Sequence, residues 1–209
     1  ISDASDYDPD LRGHLEAQIA NAADELAYTA HDLDDGLRSG MITPEMLEGI
    51  TLWEILVKSV GWRSGQLDDL SRHRLIRRLI GLEVTDLVTT TDQCIRENSI
   101  GSVEDLQKLA FNVIGFSEDM NRRNRQMKDF LYANMYRHHR VVRMAVKAER
   151  IITDLFNAYH LEPSMLPQHV QDFIGARGLE RTICDYIAGM TDRFALQEHS
   201  KLFDPSSLP

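Results

Sequence analysis

Apolar residues recur every three or four positions along almost the whole chain, and no segment alternates strictly between apolar and polar residues with turn signals at both ends. That period is typical of an α-helix with one buried face, so the sequence predicts an all-α fold. The predicted helices cover about residues 13–39, a short stretch after Pro44, 52–60, 67–95, a short stretch after Ser102, 117–135, 138–159, 179–188 and 192–202.

Local signals set the ends of these helices. Gly40 follows the first helix, as a C-terminal glycine often does. Ser102 and Asp105 have the spacing of a capping box, which predicts that a short helix begins there. Two loops are predicted, at residues 163–167 and 175–178, because prolines bound the first and glycines the second.

The first helix has two different faces. Its apolar face, which is predicted to be core, carries Leu15, Ile19, Ala22, Leu26, Leu33 and Leu37. Its opposite face carries Asp24, Tyr28, His31, Asp32 and Asp35. This face either is solvated in the ordinary way or holds a cation and a polar ligand, since it has almost no lysine or arginine to balance its acids. A metal ion beside Asp24 and a ligand hydroxyl beside Asp32 would use this arrangement.

Composition narrows the class of protein. The 209 residues are 43% apolar and 27% charged, as in a globular protein. Cys94 and Cys184 form no C-x-x-C pair, so a disulfide scaffold or thiolate zinc site is not expected. This cysteine usage predicts a cytoplasmic location. Without an apolar run of about 18 residues, no membrane span is predicted, and the polar start at residues 1–6 does not resemble a signal peptide. Five aromatic residues are predicted to lie in the core: Trp53, Trp62, Phe111, Phe116 and Phe156.

Charge is unevenly distributed within the net −10. Residues 1–40 carry 2 basic and 10 acidic side chains, a net of −8, whereas residues 122–150 carry 9 and 2, a net of +7. One helix face in the basic segment holds Arg137, Arg140, Arg143, Lys147 and Arg150. It is either a solvated stripe or a surface that neutralises an anion.

The cluster formed by Arg72, Arg74, Arg77 and Arg78 is predicted to be a solvated face rather than an oligomer or nucleic-acid contact. A nucleic-acid-binding protein stays an alternative, and it predicts affinity that falls steeply with salt.

Three separated motifs resemble one known family. They are the first-helix run at residues 15–40, the run Leu-Tyr-Ala-Asn-Met-Tyr-Arg-His at 131–138 and the run Cys-Asp-Tyr-Ile-Ala-Gly-Met-Thr-Asp-Arg at 184–193. Their order and spacing are similar to those of bacterial deoxyguanosinetriphosphate triphosphohydrolase-like proteins of the HD-domain phosphohydrolase superfamily. The resemblance covers essentially the whole chain.

This resemblance implies a divalent metal centre such as Mg²⁺ or Mn²⁺, built from an upstream histidine, an upstream His-Asp pair and a later aspartate. Asp24 resembles that last ligand, so most ligands are expected outside this chain. Residues 1–209 then correspond to a C-terminal helical part, with a metal-and-sugar helix at 1–40 and a helical remainder at 41–209, and the upstream part is absent.

The resemblance also implies substrate contacts. Tyr28 would pack against the deoxyribose and crowd a 2′-hydroxyl, and Asp32 would accept a hydrogen bond from the 3′-hydroxyl. Glu25 stands where some relatives have a phosphate-binding lysine, so other cations must neutralise the triphosphate. The residues expected nearest the ligand in the basic segment are Tyr136, Arg137, His138 and Arg140.

The implied activity is cleavage of a deoxynucleoside triphosphate, such as dGTP, to the deoxynucleoside and inorganic triphosphate by an intact, homo-oligomeric enzyme. The 209-residue chain alone is expected to be inactive, because it lacks most of the metal ligands. The alternative is a helical module for oligomerisation or for binding an effector nucleotide.

Overall fold

The computed structural model describes residues 8, 10–63, 65 and 67–206. These residues contain helices and turns and no strand, which confirms the all-α prediction. The polar start at residues 1–6 lies outside the described residues. No helix in the described ranges is both long and apolar enough to cross a membrane.

The helix bounds follow the predicted periodicity closely at both ends of the chain. The α-helices are α1 (Leu15–Arg38), α2 (Thr51–Val60), α3 (Asp69–Glu97), α4 (Val103–Gln107), α5 (Glu118–Leu131), α6 (His139–Leu161), α7 (Gln168–Gln171), α8 (Ile174–Arg177), α9 (Leu179–Ala188) and α10 (Asp192–Phe203). Short 3-10 turns span Pro44–Leu47 and Pro163–Met165, and a π-helical turn at Tyr132–Tyr136 follows α5 directly. The predicted loop at 175–178 is wrong, because α8 covers most of it.

The chain folds into two compact units, Ile1–His138 and His139–Pro209. In the first unit α1 and α2 each pack against both α3 and α5. Its core is a cluster of leucines and methionines from these helices, among them Leu33, Leu52, Leu56, Leu75, Leu79 and Met127. In the second unit α6 packs against α9 and α10, around Leu155, Tyr159, Leu166, Val170 and Ile183.

The apolar face of α1 is buried only in its later part. Leu26 and Leu33 are buried, as predicted, but Ile19 is 46% exposed. In the first half of α1 it is Gln18 that is buried. Its Oε1 accepts hydrogen bonds from the backbone N–H groups of Val113 (2.8 Å) and Ile114 (3.3 Å). A buried polar group needs such partners, and apolarity alone does not reveal them.

Among the predicted core aromatics, the outcome is mixed. Trp53 is buried, and its ring meets that of Trp62 edge-on with the centroids 6.3 Å apart. Phe111, in contrast, is 45% exposed, so the prediction is wrong for this residue.

Arg72 corrects the prediction of a solvated arginine face on α3. Its side chain is buried, and its guanidinium donates hydrogen bonds to Asp34 on α1 and to Asp69, the latter at 3.1 Å. The partner Asp34 lies 38 residues away, so helical spacing does not predict the pair. The buried ion pair joins α1 to α3 and removes Arg72 from any nucleic-acid surface.

Candidate functional site

A cavity of about 380 Å³ lies between the later half of α1 and the end of α5 with its π-helical turn. Its lining residues are Tyr28, Thr29, Asp32, Lys128, Asp129, Leu131, Tyr132 and Tyr136. The structure thus brings Tyr28 and Asp32, both singled out from the sequence, to one cavity. They face residues that lie about 100 positions later in the chain.

Asp32 and Tyr136 form a direct hydrogen bond across the cavity, in which the Tyr136 hydroxyl donates to Asp32 Oδ2. This bond, with partial burial and the negative charge of Asp32, raises the pKa of Tyr136 to about 12. The phenol is a hydrogen-bond donor at neutral pH, as any tyrosine is, and the raised pKa extends that state to more alkaline pH. Because an ionised carboxylate can accept about four hydrogen bonds, Asp32 keeps acceptor positions for a ligand hydroxyl.

The π-helical turn carries Tyr132 and Tyr136, the two tyrosines that line one side of the cavity. The Arg137 backbone N–H donates to the Tyr132 carbonyl at 3.1 Å, five residues back, which is the π-helical hydrogen-bond spacing. The rings of Tyr132 and Tyr136 stack with centroids 6.4 Å apart and an interplanar angle of 29°. The Arg137 guanidinium lies 5.4 Å from the centre of the Tyr132 ring, within cation–π distance. Arg137 therefore adjoins the cavity through Tyr132 rather than lining it.

A lysine that the sequence interpretation did not single out supplies a cation to the cavity. Lys128 Nζ forms an ion pair with Glu25 Oε1. This pair places an ammonium from α5 beside position 25. Since the two side chains are 42% and 55% exposed, the pair contributes little stability and its cation can exchange partners. Lys128 precedes Tyr132 by four residues and Tyr136 by eight, and this shared spacing is the sequence signal that could have found it.

Asp24 lies one helical turn before Tyr28 and is exposed. It is not among the residues that line the cavity. In the part of the chain that the structure describes, no group of three or more His, Cys, Asp or Glu side chains could hold a metal ion. These residues therefore do not form a complete metal centre.

The two remaining predicted contacts lie at the boundary between the units. His138 ends the first unit, and Arg140 lies on α6 in the second. Their contacts with a ligand stay predictions.

Comparisons with known proteins find a matching domain and several similar proteins. Residues 114–201, which include the π-helical turn and the cavity residues that follow α5, match the phosphohydrolase-associated domain. The chain is 46% identical over 192 residues to a deoxyguanosinetriphosphate triphosphohydrolase-like protein of Geobacter sulfurreducens, covering 91% of this chain and 50% of the relative. The corresponding protein 1 of Deinococcus radiodurans is 41% identical over 188 residues, covering 90% and 50%. The relative from Bordetella pertussis is 43% identical over 196 residues, covering 91% and 49%.

This chain is a homologue of the deoxyguanosinetriphosphate triphosphohydrolase-like proteins. The resemblance found in the three motifs is confirmed. The chain spans about half the length of the curated relatives it matches, and it corresponds to their C-terminal part.

Proposed function

We propose that the cavity of this triphosphohydrolase homologue binds the sugar and phosphates of a deoxynucleoside triphosphate such as dGTP. The observation that carries this proposal is the meeting of Asp32, Tyr136 and Lys128 at one cavity. A carboxylate with spare acceptor positions fits a sugar hydroxyl, and an ammonium fits a phosphate. The names of the relatives support the substrate class.

Each side chain has a separate role in this proposal. Asp32, held by Tyr136, accepts a hydrogen bond from the 3′-hydroxyl. The ring of Tyr28 is 62% exposed and packs against the deoxyribose, where it disfavours a 2′-hydroxyl. Lys128 turns from Glu25 to the phosphates, with Arg137, His138 and Arg140 as further cationic or hydrogen-bonding contacts.

The proposed reaction of the longer enzyme is hydrolysis at the α-phosphorus. A water oxygen bonds to that phosphorus, the bond from phosphorus to the sugar 5′-oxygen breaks, and the 5′-oxygen takes a proton. The products are the deoxynucleoside and inorganic triphosphate. Cations near the phosphates stabilise the negative charge that develops during this step.

We assign Asp24 to a divalent metal as one ligand, with the others contributed from outside this chain. The described residues do not by themselves complete a metal centre. The 209-residue chain is expected to bind ligand without releasing triphosphate from dGTP.

Two probes test the cavity in this chain without turnover. With EDTA present, Lys128→Met is expected to weaken the binding of inorganic triphosphate about tenfold, the lower range for a hydrogen bond to a charged group, and to leave deoxyguanosine binding unchanged. Tyr28→Ala is expected to weaken deoxyguanosine binding and to spare triphosphate. Isothermal titration calorimetry measures both.

Lys58→Met is the matched control, because Lys58 is an exposed lysine on α2 in the same unit and does not line the cavity. The proposal is wrong if Lys128→Met and Lys58→Met affect triphosphate binding equally, or if wild type binds neither probe.

A second candidate function is an oligomerisation or effector-nucleotide module. The observation behind it is the exposure of apolar side chains in the first half of α6: Met144, 64% exposed, lies on one side of the helix, and Val142 (38%) and Val146 (50%) lie on the other. A homo-oligomer is proposed on this ground, and light scattering of wild type against Met144→Glu would test it. The cytoplasmic location stays a prediction from cysteine usage.

A further inference from the structure

Glu83 on α3 is a buried acid that the proposed function does not use. Its side chain is fully buried, with 0% exposed. Neither of its carboxyl oxygens has a hydrogen-bond partner among the described residues, and the same holds for Oδ1 of the buried Asn124 on α5. Burying a polar group without a hydrogen-bond partner costs free energy, so the presence of Glu83 at this position needs an explanation.

Two charged groups, one on α5 and one on α1, act on Glu83. The pKa of Glu83 is raised from 4.5 to about 7: burial raises it most, Lys128 and Asn124 on α5 lower it, and Glu25 on α1 raises it. Lys128 therefore interacts with two carboxyl groups: it forms an ion pair with Glu25, and its charge favours the ionised form of the buried Glu83. It is also the ammonium that lines the cavity.

This arrangement couples the charge of Glu83 to the position of Lys128. While Glu83 is ionised, its charge attracts the ammonium and repels an anion that enters the cavity. When Lys128 turns to such an anion, the ionised Glu83 loses the nearby cation while its carboxyl group stays shielded from solvent. A proton from solvent then replaces the cation, and the resulting O–H has an unpaired acceptor nearby in Asn124 Oδ1.

We propose that Glu83 is a positioning residue for Lys128, which takes up one proton from solvent when a phosphate-bearing anion binds in the cavity and releases it when the anion leaves. This inference rests on the proposed function, because it takes Lys128 as the cation that meets the phosphates. By linkage, anion binding becomes tighter at lower pH, and the bound anion favours the protonated form of Glu83.

The first experiment needs no ligand. A carbon-13 NMR titration of the Glu83 carboxyl in the 209-residue chain, assigned with Glu83→Gln, is expected to give a midpoint near 7 that rises in Lys128→Met. A midpoint that does not move in Lys128→Met would show that the two groups are uncoupled and would overturn the inference.

The second experiment measures inorganic triphosphate binding at pH 6 and pH 8.5. The ratio of wild-type to Glu83→Gln affinity is expected to fall about three- to tenfold between these pH values, as for a linked group whose pKa shifts by up to one pH unit. The ratio cancels the titration of triphosphate itself. Glu97→Gln removes the same charge from the exposed end of α3 and is expected to behave as wild type.

If Glu83→Gln does not fold, a measurement of proton uptake by the wild-type chain tests the inference instead. Calorimetry of wild-type chain in two buffers of different ionisation enthalpy, at pH 7.5, is expected to show uptake on triphosphate binding that is absent in Lys128→Met and present in Lys58→Met.

The outcomes separate the two proposals. If Lys128→Met weakens triphosphate binding while wild type and Glu83→Gln keep the same pH dependence, the role of Glu83 is wrong and the proposed function stands. If Lys128→Met leaves triphosphate binding unchanged, the proposed function is wrong. This inference is then also wrong, whatever the titration midpoint of Glu83.

Discussion

Glu83 also affects stability, because its carboxyl group is buried in the folded chain and solvated in the unfolded one. Its pKa is raised from 4.5 to about 7, so the folded state binds the proton more tightly than the unfolded state does. Relative to high pH, the folded chain therefore gains stability from this group below pH 4.5, loses that stability as pH rises from 4.5 to 7, and has lost all of it well above pH 7. The difference is about 3 kcal/mol at 1.36 kcal/mol per pKa unit.

Glu83→Gln is therefore expected to raise the free energy of unfolding by about 1–3 kcal/mol at pH 8, where the wild-type carboxyl is ionised, and to change it little at pH 5. Urea unfolding at the two pH values measures this difference. Glu97→Gln, which removes an exposed charge, should show no such pH-dependent gain. An equal effect of Glu83→Gln at both pH values would contradict the prediction.

Single residues show which part of the site the sequence could reveal. Tyr28 and Asp32 share a helix face with local spacing, so periodicity and the motif resemblance identified them. Lys128 pairs with Glu25 across 103 residues, and Arg72 pairs with Asp34 across 38. Contacts between distant helices depend on tertiary packing, which a periodic pattern does not specify.

At the scale of elements, the N-terminus of α5 depends on a shared cap. Ser117 Oγ accepts from the Met120 backbone N–H at 3.2 Å and donates to Asp86 Oδ1 at 2.7 Å, while Asp86 Oδ2 accepts from the Ser117 backbone N–H at 2.8 Å. The cap thus ties α5 to α3, and α5 carries the cavity lysine.

Ser117→Ala is expected to lower the free energy of unfolding by about 1–2 kcal/mol, because it removes the cap and one partner of the half-buried Asp86. Urea unfolding of the chain measures the change. Ser102→Ala, at the exposed cap of the short helix α4, should cost less. If Ser117→Ala lowers the free energy of unfolding no more than Ser102→Ala does, the hydrogen bonds between Ser117 and Asp86 add no stability.

The long helices α1, α3 and α6 were predictable because each repeats its apolar residues over several turns. The Ser102 cap was predictable from two residues, and the structure confirms it with the Asp105 backbone N–H donating to Ser102 Oγ at 3.1 Å. The helices α7 and α8 have four residues each, about one turn, which is too short for a period to show. The π-helical turn was predicted as ordinary helix, since its side chains carry no distinct pattern.

At the scale of the molecule, the basic segment 122–150 crosses the boundary between the two units. Lys128 and Arg137 belong to the first unit, and Arg140, Arg143 and Lys147 to the second. Net charge along the sequence therefore did not indicate where one packed unit ends, because packing follows buried apolar contacts rather than surface charge.

The metal assignment of Asp24 is a whole-molecule prediction, since it needs ligands from outside this chain. A chimera in which this chain replaces the C-terminal part of the Geobacter sulfurreducens relative should bind Mn²⁺ and release inorganic triphosphate from dGTP. Asp24→Ala is expected to reduce both metal content and turnover, the latter roughly 100-fold or more. Metal analysis and a triphosphate release assay measure them.

Asp35→Ala is the matched control, because it removes an exposed carboxylate from the same helix. It should keep metal content and turnover close to those of the unsubstituted chimera. Unchanged metal content in Asp24→Ala would contradict the ligand assignment even if the chimera turned over slowly.

The π-helical turn at Tyr132–Tyr136 makes the cavity sensitive to chain length. Between the same flanking residues, a π-helical turn holds one residue more than an α-helical turn does. Deleting one residue there would let the turn close as an α-helix, and the change would fall on the turn that carries Tyr132 and Tyr136. The bond from Tyr136 to Asp32 depends on that extra residue, so a one-residue deletion is expected to weaken deoxyguanosine binding even though it removes no side chain of α1.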